Sequence, residues 1–113
     1  MAKFEAKIRG DFDKVLEKIE KGILEGSISA TLEDKSDFQD EELRCSVRVF
    51  ERFSYWGGNR VSLNVTLFQS TKDYLELSAI TSGGSQAIFW KINTIGEEAF
   101  LDKLKELLYK DEK

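Results

Sequence analysis

Three arginines, Arg44, Arg48 and Arg52, fall on one face of a single extended stretch, "LRCSVRVFERF", in a chain of 113 residues that has no histidine and one cysteine. Guanidinium groups in a row can hold an anion, or the phosphates of a nucleic acid whose bases stack on aromatic side chains such as Phe50 and Trp90. The net charge of −4 and the pI near 5.0 speak against the second use. A nucleic-acid binder needs a basic footprint to release counterions. Cross-strand pairing with a carboxylate such as Glu51 or Glu76 is the plainer expectation for these arginines. A second candidate is "RFSYWGGNR", where Phe53, Tyr55 and Trp56 could form an aromatic lid over a ligand mouth, with Arg52 or Arg60 holding an anion. Gly57, Gly58 and Asn59 are the residues that a tight turn with positive φ demands, so a hairpin tip capping the core accounts for them without a ligand.

Most catalytic chemistry is excluded by residue type. Without histidine there is no Ser-His-Asp or Cys-His arrangement. With one cysteine there is neither an intramolecular disulfide nor a cysteine-based metal site. Cys45 has the inward parity of its stretch and reads as a small core residue, with nothing nearby to lower its pKa. The acidic run at Asp34, Asp37, Asp40, Glu41 and Glu42 misses the spacing of a calcium-binding loop. "TSGGSQ" lacks the lysine and spacing of a phosphate loop and leads into a strand, where no helix dipole would assist an anion. No pair of carboxylates stands out for glycoside chemistry. The expectation is a non-enzymatic protein with no cofactor and no metal. No apolar run approaches the ~20 residues of a membrane span, and "MAKFEAKIRG" has no apolar signal core. A cytoplasmic location without membrane contact follows by default.

The elements that would position these residues are legible from periodicity. "KFEAKIR" alternates, with Phe4, Ala6 and Ile8 on one face and charged residues on the other, as a strand with one wet face does. Gly10 ends it. Asp11 has the type and place of a helix N-cap, and Phe12, Val15, Leu16, Ile19, Ile23 and Leu24 then form one apolar stripe, closed by Gly26. "SISATLE" alternates again through Ile28, Ala30 and Leu32, and residues 34–42 read as an acidic loop. In "LRCSVRVFERF", Leu43, Cys45, Val47 and Val49 form the apolar set, and the loosened pattern at Phe50 and Phe53 suggests a bulge or bend. "VSLNVTLF" places Val61, Leu63, Val65 and Leu67 together, and "YLELSAI" does the same with Leu75, Leu77 and Ala79. A further extended stretch, "AIFWKI", is apolar on both faces and would be covered on both sides, at least in part. In "NTIGEEAFLDKLKELLYK", Thr94 and Glu97 match a capping box, and Phe100, Leu101, Leu104, Leu107 and Leu108 make an apolar helical stripe.

The chain therefore reads as one α+β domain over residues 1–113, with 110–113 frayed. It is a single curved antiparallel sheet in the order β-α-β-β-β-β-α, with both helices packed on one face. That order is similar to the TATA-binding-protein-like and helix-grip folds, a likeness of architecture alone. The segments "MAKFEAKIRGDFD", "ILEGSISATLED", "GGNRVSL", "SAITSGGSQA" and "KINTIGEEAFL" resemble a small uncharacterised family of bacterial proteins with a domain of unknown function. The resemblance implies a bacterial, cytoplasmic, stand-alone domain and carries no site residues. Two functional expectations follow. The first is a niche for an apolar or amphipathic small molecule between sheet and C-terminal helix, lined by Phe53, Tyr55, Trp56, Phe100 and Leu104. The second is a homodimerising or protein-interaction domain using the outer sheet face. That face would carry Phe68, Tyr74, Ile80 and Ile92, with Phe50, Ile88 and Trp90 at its centre. Its alternative is coverage by the acidic loop, with Phe38 tucked beneath.

Overall fold

A computed structural model describes residues 2–26, 29–53 and 60–83. Strand β1 (Ala2–Ile8) leads into helix α1 (Phe12–Glu25), followed by β2 (Thr31–Asp40), β3 (Leu43–Phe53), β4 (Arg60–Gln69) and β5 (Leu75–Gly83). The strands form one sheet in the order β1-β5-β4-β3-β2, every pair antiparallel. Among the described residues the first strand thus lies beside the last, and β1 and β2 are the two edges. The "AIFWKI" stretch and the C-terminal stripe, with Ile88, Trp90, Phe100 and Leu104, lie outside the described residues, as do Tyr55 and Trp56.

Helix α1 starts as its sequence dictates. The Asp11 carboxylate accepts the backbone N–H of Lys14 at 3.0 Å, and the N–H of Gly26 reaches the Gly22 carbonyl at the other end. Such caps satisfy groups that the helix leaves without partners. The apolar stripe buries Phe12, Ile19 and Ile23 against one face of the sheet. That face is supplied by Phe4, Ala6 and Ile8 of β1, by Val61, Leu63, Val65 and Leu67 of β4, and by Leu75, Leu77 and Ala79 of β5. The expected period-2 sets of these three strands are the observed ones.

Strands β2 and β3 depart from expectation. The acidic run 34–42 is mostly strand: β2 continues to Asp40 and turns through Glu41 and Glu42, with Glu41 at φ 56°. The shift in pairing lies between Leu32 and Asp34 in β2, while β3 pairs with β4 without interruption. In β3 the parity is the reverse of the apolar count. Register places Phe50 opposite Leu63, Arg48 opposite Val65 and Ser46 opposite Leu67, so Arg44, Ser46, Arg48, Phe50 and Arg52 share the helix-covered face. Leu43, Cys45, Val47 and Val49 point the other way. Because side chains alternate with period two, one residue of offset moves the whole set. The reversal corrects two expectations: Cys45 is not a core residue but lies partly buried on the outer face, and Phe50 is not an outer-face residue but is wholly buried in the core.

Candidate functional site

The arginine row is the first place where the structure gathers the flagged residues. Asp13 and Glu20 are seven residues apart and so share a helix face. They are separated by about 10 Å along the axis. Arg44 and Arg48 are four apart on one strand face, or about 13–14 Å. The near match of these spans lets α1 run along β3 with both acids engaged. Arg44 grips the Asp13 carboxylate with both terminal nitrogens, at 2.8 and 3.0 Å, while its guanidinium lies 4.2 Å from the centre of the Phe12 ring. Arg48, almost fully buried, pairs with Glu20 through Nε and with Asp37 of β2 at 2.9 Å, and donates to the backbone carbonyls of Ser36 and Val47. Ser46 donates its hydroxyl to the same Asp37 at 2.6 Å.

The charges respond accordingly. The Arg44 hydrogen bond holds the Asp13 carboxyl below its ordinary range, and the Ser46 and Arg48 hydrogen bonds do the same for Asp37. Burial works against the Arg48 cation, yet its hydrogen bonds to Glu20 and Asp37 raise its pKa on balance. Burial lowers that of Arg52. The partners of Arg44 and Arg48 are thus Asp13, Glu20 and Asp37 and not the expected Glu51 or Glu76. With their donors committed to carboxylates of the same chain, these two arginines form a clamp between helix and sheet and not an anion site.

The outer face has the opposite character. Reading across the strands in register, three rows cross it. The first is Lys3, Ile80, Asn64, Val49 and Asp34; the second is Glu5, Ser78, Thr66, Val47 and Ser36; the third is Lys7, Glu76, Phe68, Cys45 and Phe38. Phe38, Leu43, Phe53, Tyr74 and Ile80 are all large, exposed and of outward parity; Leu24 on α1 is the other exposed large apolar residue among those described. Phe38 is 64% exposed, so it is not tucked beneath a loop. Of the expected outer-face residues, Phe68, Tyr74 and Ile80 are there. Phe53, expected in the ligand lid, stands at the end of β3 with outward parity. Leu43 and Cys45 were placed on the inner face, and Phe38 was expected at the outer face only as a covering residue. The parity of β3, reversed from its apolar count, moves the first two, and the extension of β2 to Asp40 brings Phe38 into the face.

Two open grooves cross this face. One, of about 270 Å³, is lined by Phe38, Leu43, Cys45 and Phe68 with Gln39, Asp40 and Arg44. The other, of about 470 Å³, runs over β1, β5 and β4 and includes Glu5, Lys7, Glu76 and the same Phe68. At its margin Tyr74 accepts a hydrogen bond to its hydroxyl from Arg9 at 2.8 Å, and the Arg9 and Lys7 cations lie 5.1 and 5.5 Å from its ring centre. Among the described residues no group of three or more His, Cys, Asp or Glu side chains could hold a metal ion, and no helix is long and apolar enough to cross a membrane.

An open five-stranded antiparallel sheet, backed on one face by the one helix among the described residues, defines a small α+β domain. The chain belongs to the family of unknown function DUF6054, whose model matches residues 1–111. No curated protein matches it. Among solved structures it is similar to hypothetical protein jhp0584 from Helicobacter pylori, at 11% identity and a TM-score of 0.46, over 90% of this chain and 83% of that one. It is also similar to TTHA0849 from Thermus thermophilus, at 10% identity and a TM-score of 0.30, over 99% of each chain. The likeness to TATA-binding-protein-like and helix-grip folds finds no support in these comparisons.

Proposed function

We propose that this chain is a non-enzymatic interaction domain that docks a protein partner on its outer sheet face. The observation that carries this reading is the segregation of exposed apolar side chains: Phe38, Leu43, Phe53, Tyr74 and Ile80 all have outward parity. Large apolar side chains gathered on one exposed sheet face mark it as a candidate interaction surface. The grooves favour a protein over a small molecule. Both are open grooves on the face of the sheet, whereas small-molecule sites are clefts that bury most of the ligand's surface. The expected apolar-ligand niche involves Tyr55, Trp56, Phe100 and Leu104, all outside the described residues. Its remaining member, Phe53, stands on the outer face.

The experiment is site-specific photocrosslinking in living cells. A photoreactive residue at position 38 or 43 gives a discrete adduct, whereas the same residue at Glu17 or Lys21, on the exposed side of α1, gives none. Equal yields from both sides, or none from the sheet, would refute the reading.

A further inference from the structure

We infer that the partner seated on the outer face is a second copy of this chain, stacked face to face about a two-fold axis parallel to the strands; this rests on the interaction-domain reading above. The distribution of charge selects both occupant and axis. At one edge, the outward residues of β2 include Asp34 and Asp40 with no outward cation in the strand; Ser36 and Phe38 lie between them. At the other edge, Lys3 and Lys7 of β1, followed by Arg9, outnumber Glu5. The interior strands offer few free charges. Glu51 is held by Arg60 at 2.6 Å, and Glu76 is the one acidic residue among the outward side chains of β5. The face is therefore acidic along one margin, basic along the other, and largely neutral or apolar between.

Two in-plane axes can stack this face on itself. An axis across the strands lays β2 on β2 and β1 on β1, matching acid with acid and base with base. An axis along the strands exchanges the margins: β1 of one copy lies over β2 of the other, and β4 lies on its own equivalent. Each cross-strand row then meets its own copy in reverse, so Lys3 faces Asp34, Ile80 faces Val49, and Phe68 meets Phe68. Aligned sheets pack about 10 Å apart with interdigitating side chains. Five strands at about 4.8 Å and some seven residues of length give a footprint of roughly 500 Å² per copy, or roughly 1,000 Å² in total, the lower bound for a specific interface. Interfaces of that size belong to the weak, transient class.

Sedimentation velocity on the full chain between about 1 and 100 µM tests this, with Lys3→Asp and Asp34→Lys made singly and together. The expected result is a dimer weakened about tenfold or more by either single charge reversal and recovered by the double swap, as complementary charges require. Cys45, between Phe68 and Phe38 in the third row, reacts more slowly with a thiol reagent as the dimer fills. Single reversals that weaken the dimer without recovery in the double variant overturn the axis. A monomer at 100 µM overturns the dimer. In that monomer, an unreactive Cys45 assigns the face to residues 84–113 of the same chain; a reactive Cys45 with a crosslinked adduct of another mass from position 38 leaves the interaction domain standing with a different partner. No adduct at all removes both proposals.

Discussion

Arg48 shows how one side chain can be central to a fold and contribute nothing to a site. It is buried between Glu20 on α1 and Asp37 on β2, and truncating it leaves two carboxylates without their cation. Loss of one partner from a buried pair costs about 3–5 kcal/mol; because Glu20 and Asp37 keep part of their contact with water, Arg48→Ala is expected to cost about 2–3 kcal/mol in urea unfolding. The residue types at 44, 48 and 52 correctly announced that three cations share a strand face. Their partners were not legible, because Asp13 and Glu20 come from a helix some thirty residues earlier and only the tertiary packing of α1 selects them. Cys45 failed as a core residue for a related reason: its parity was judged from its apolar neighbours, whereas the sheet obeyed the ion pairs and Phe50.

At the scale of elements, the contact between α1 and β3 is partly ionic and therefore depends on pH. Asp13 and Asp37 have folded-state pKa values below their ordinary ones. Groups of this kind contribute stability above their unfolded pKa, and the contribution is lost as pH falls through the folded value. Stability is thus expected to hold from neutral pH to about 5 and to decline below about pH 4. Asp13→Asn flattens part of that decline, which urea midpoints at pH 5 and pH 3 would reveal. Both acids are largely exposed, so the effect is small. Helix α1 and strands β1, β4 and β5 were legible from periodicity, since each buries one clean apolar set. Strand β2 was not: at an edge with both faces wet, "LEDKSDFQD" has no apolar period to read, and charge at an edge is how sheets discourage unwanted pairing.

For the whole molecule, the two sheet faces divide their work. The inner face carries stability. Phe50 is wholly buried there, so Phe50→Ala is expected to cost about 3–5 kcal/mol, as for other buried aromatic truncations. Phe38 is 64% exposed on the outer face, so Phe38→Thr is expected to cost no more than about 0.5 kcal/mol in unfolding, and, on the dimer proposed above, to reduce self-association. A change of similar size at both positions in thermal unfolding would contradict this division. The sequence indicated that an outer face existed and that it was apolar in patches. Which aromatic residues lay on it depended on the parity of β3, a one-residue decision that only register makes.

The hairpin tip between β2 and β3 holds one more consequence. Glu41 adopts a left-handed backbone that side chains other than glycine and asparagine resist. Glu41→Gly should therefore raise the melting temperature, by the equivalent of about 0.5–1 kcal/mol. It would do so while touching neither the clamp nor the open face, which makes the tip the natural place to gain thermal tolerance in an engineered form of this domain.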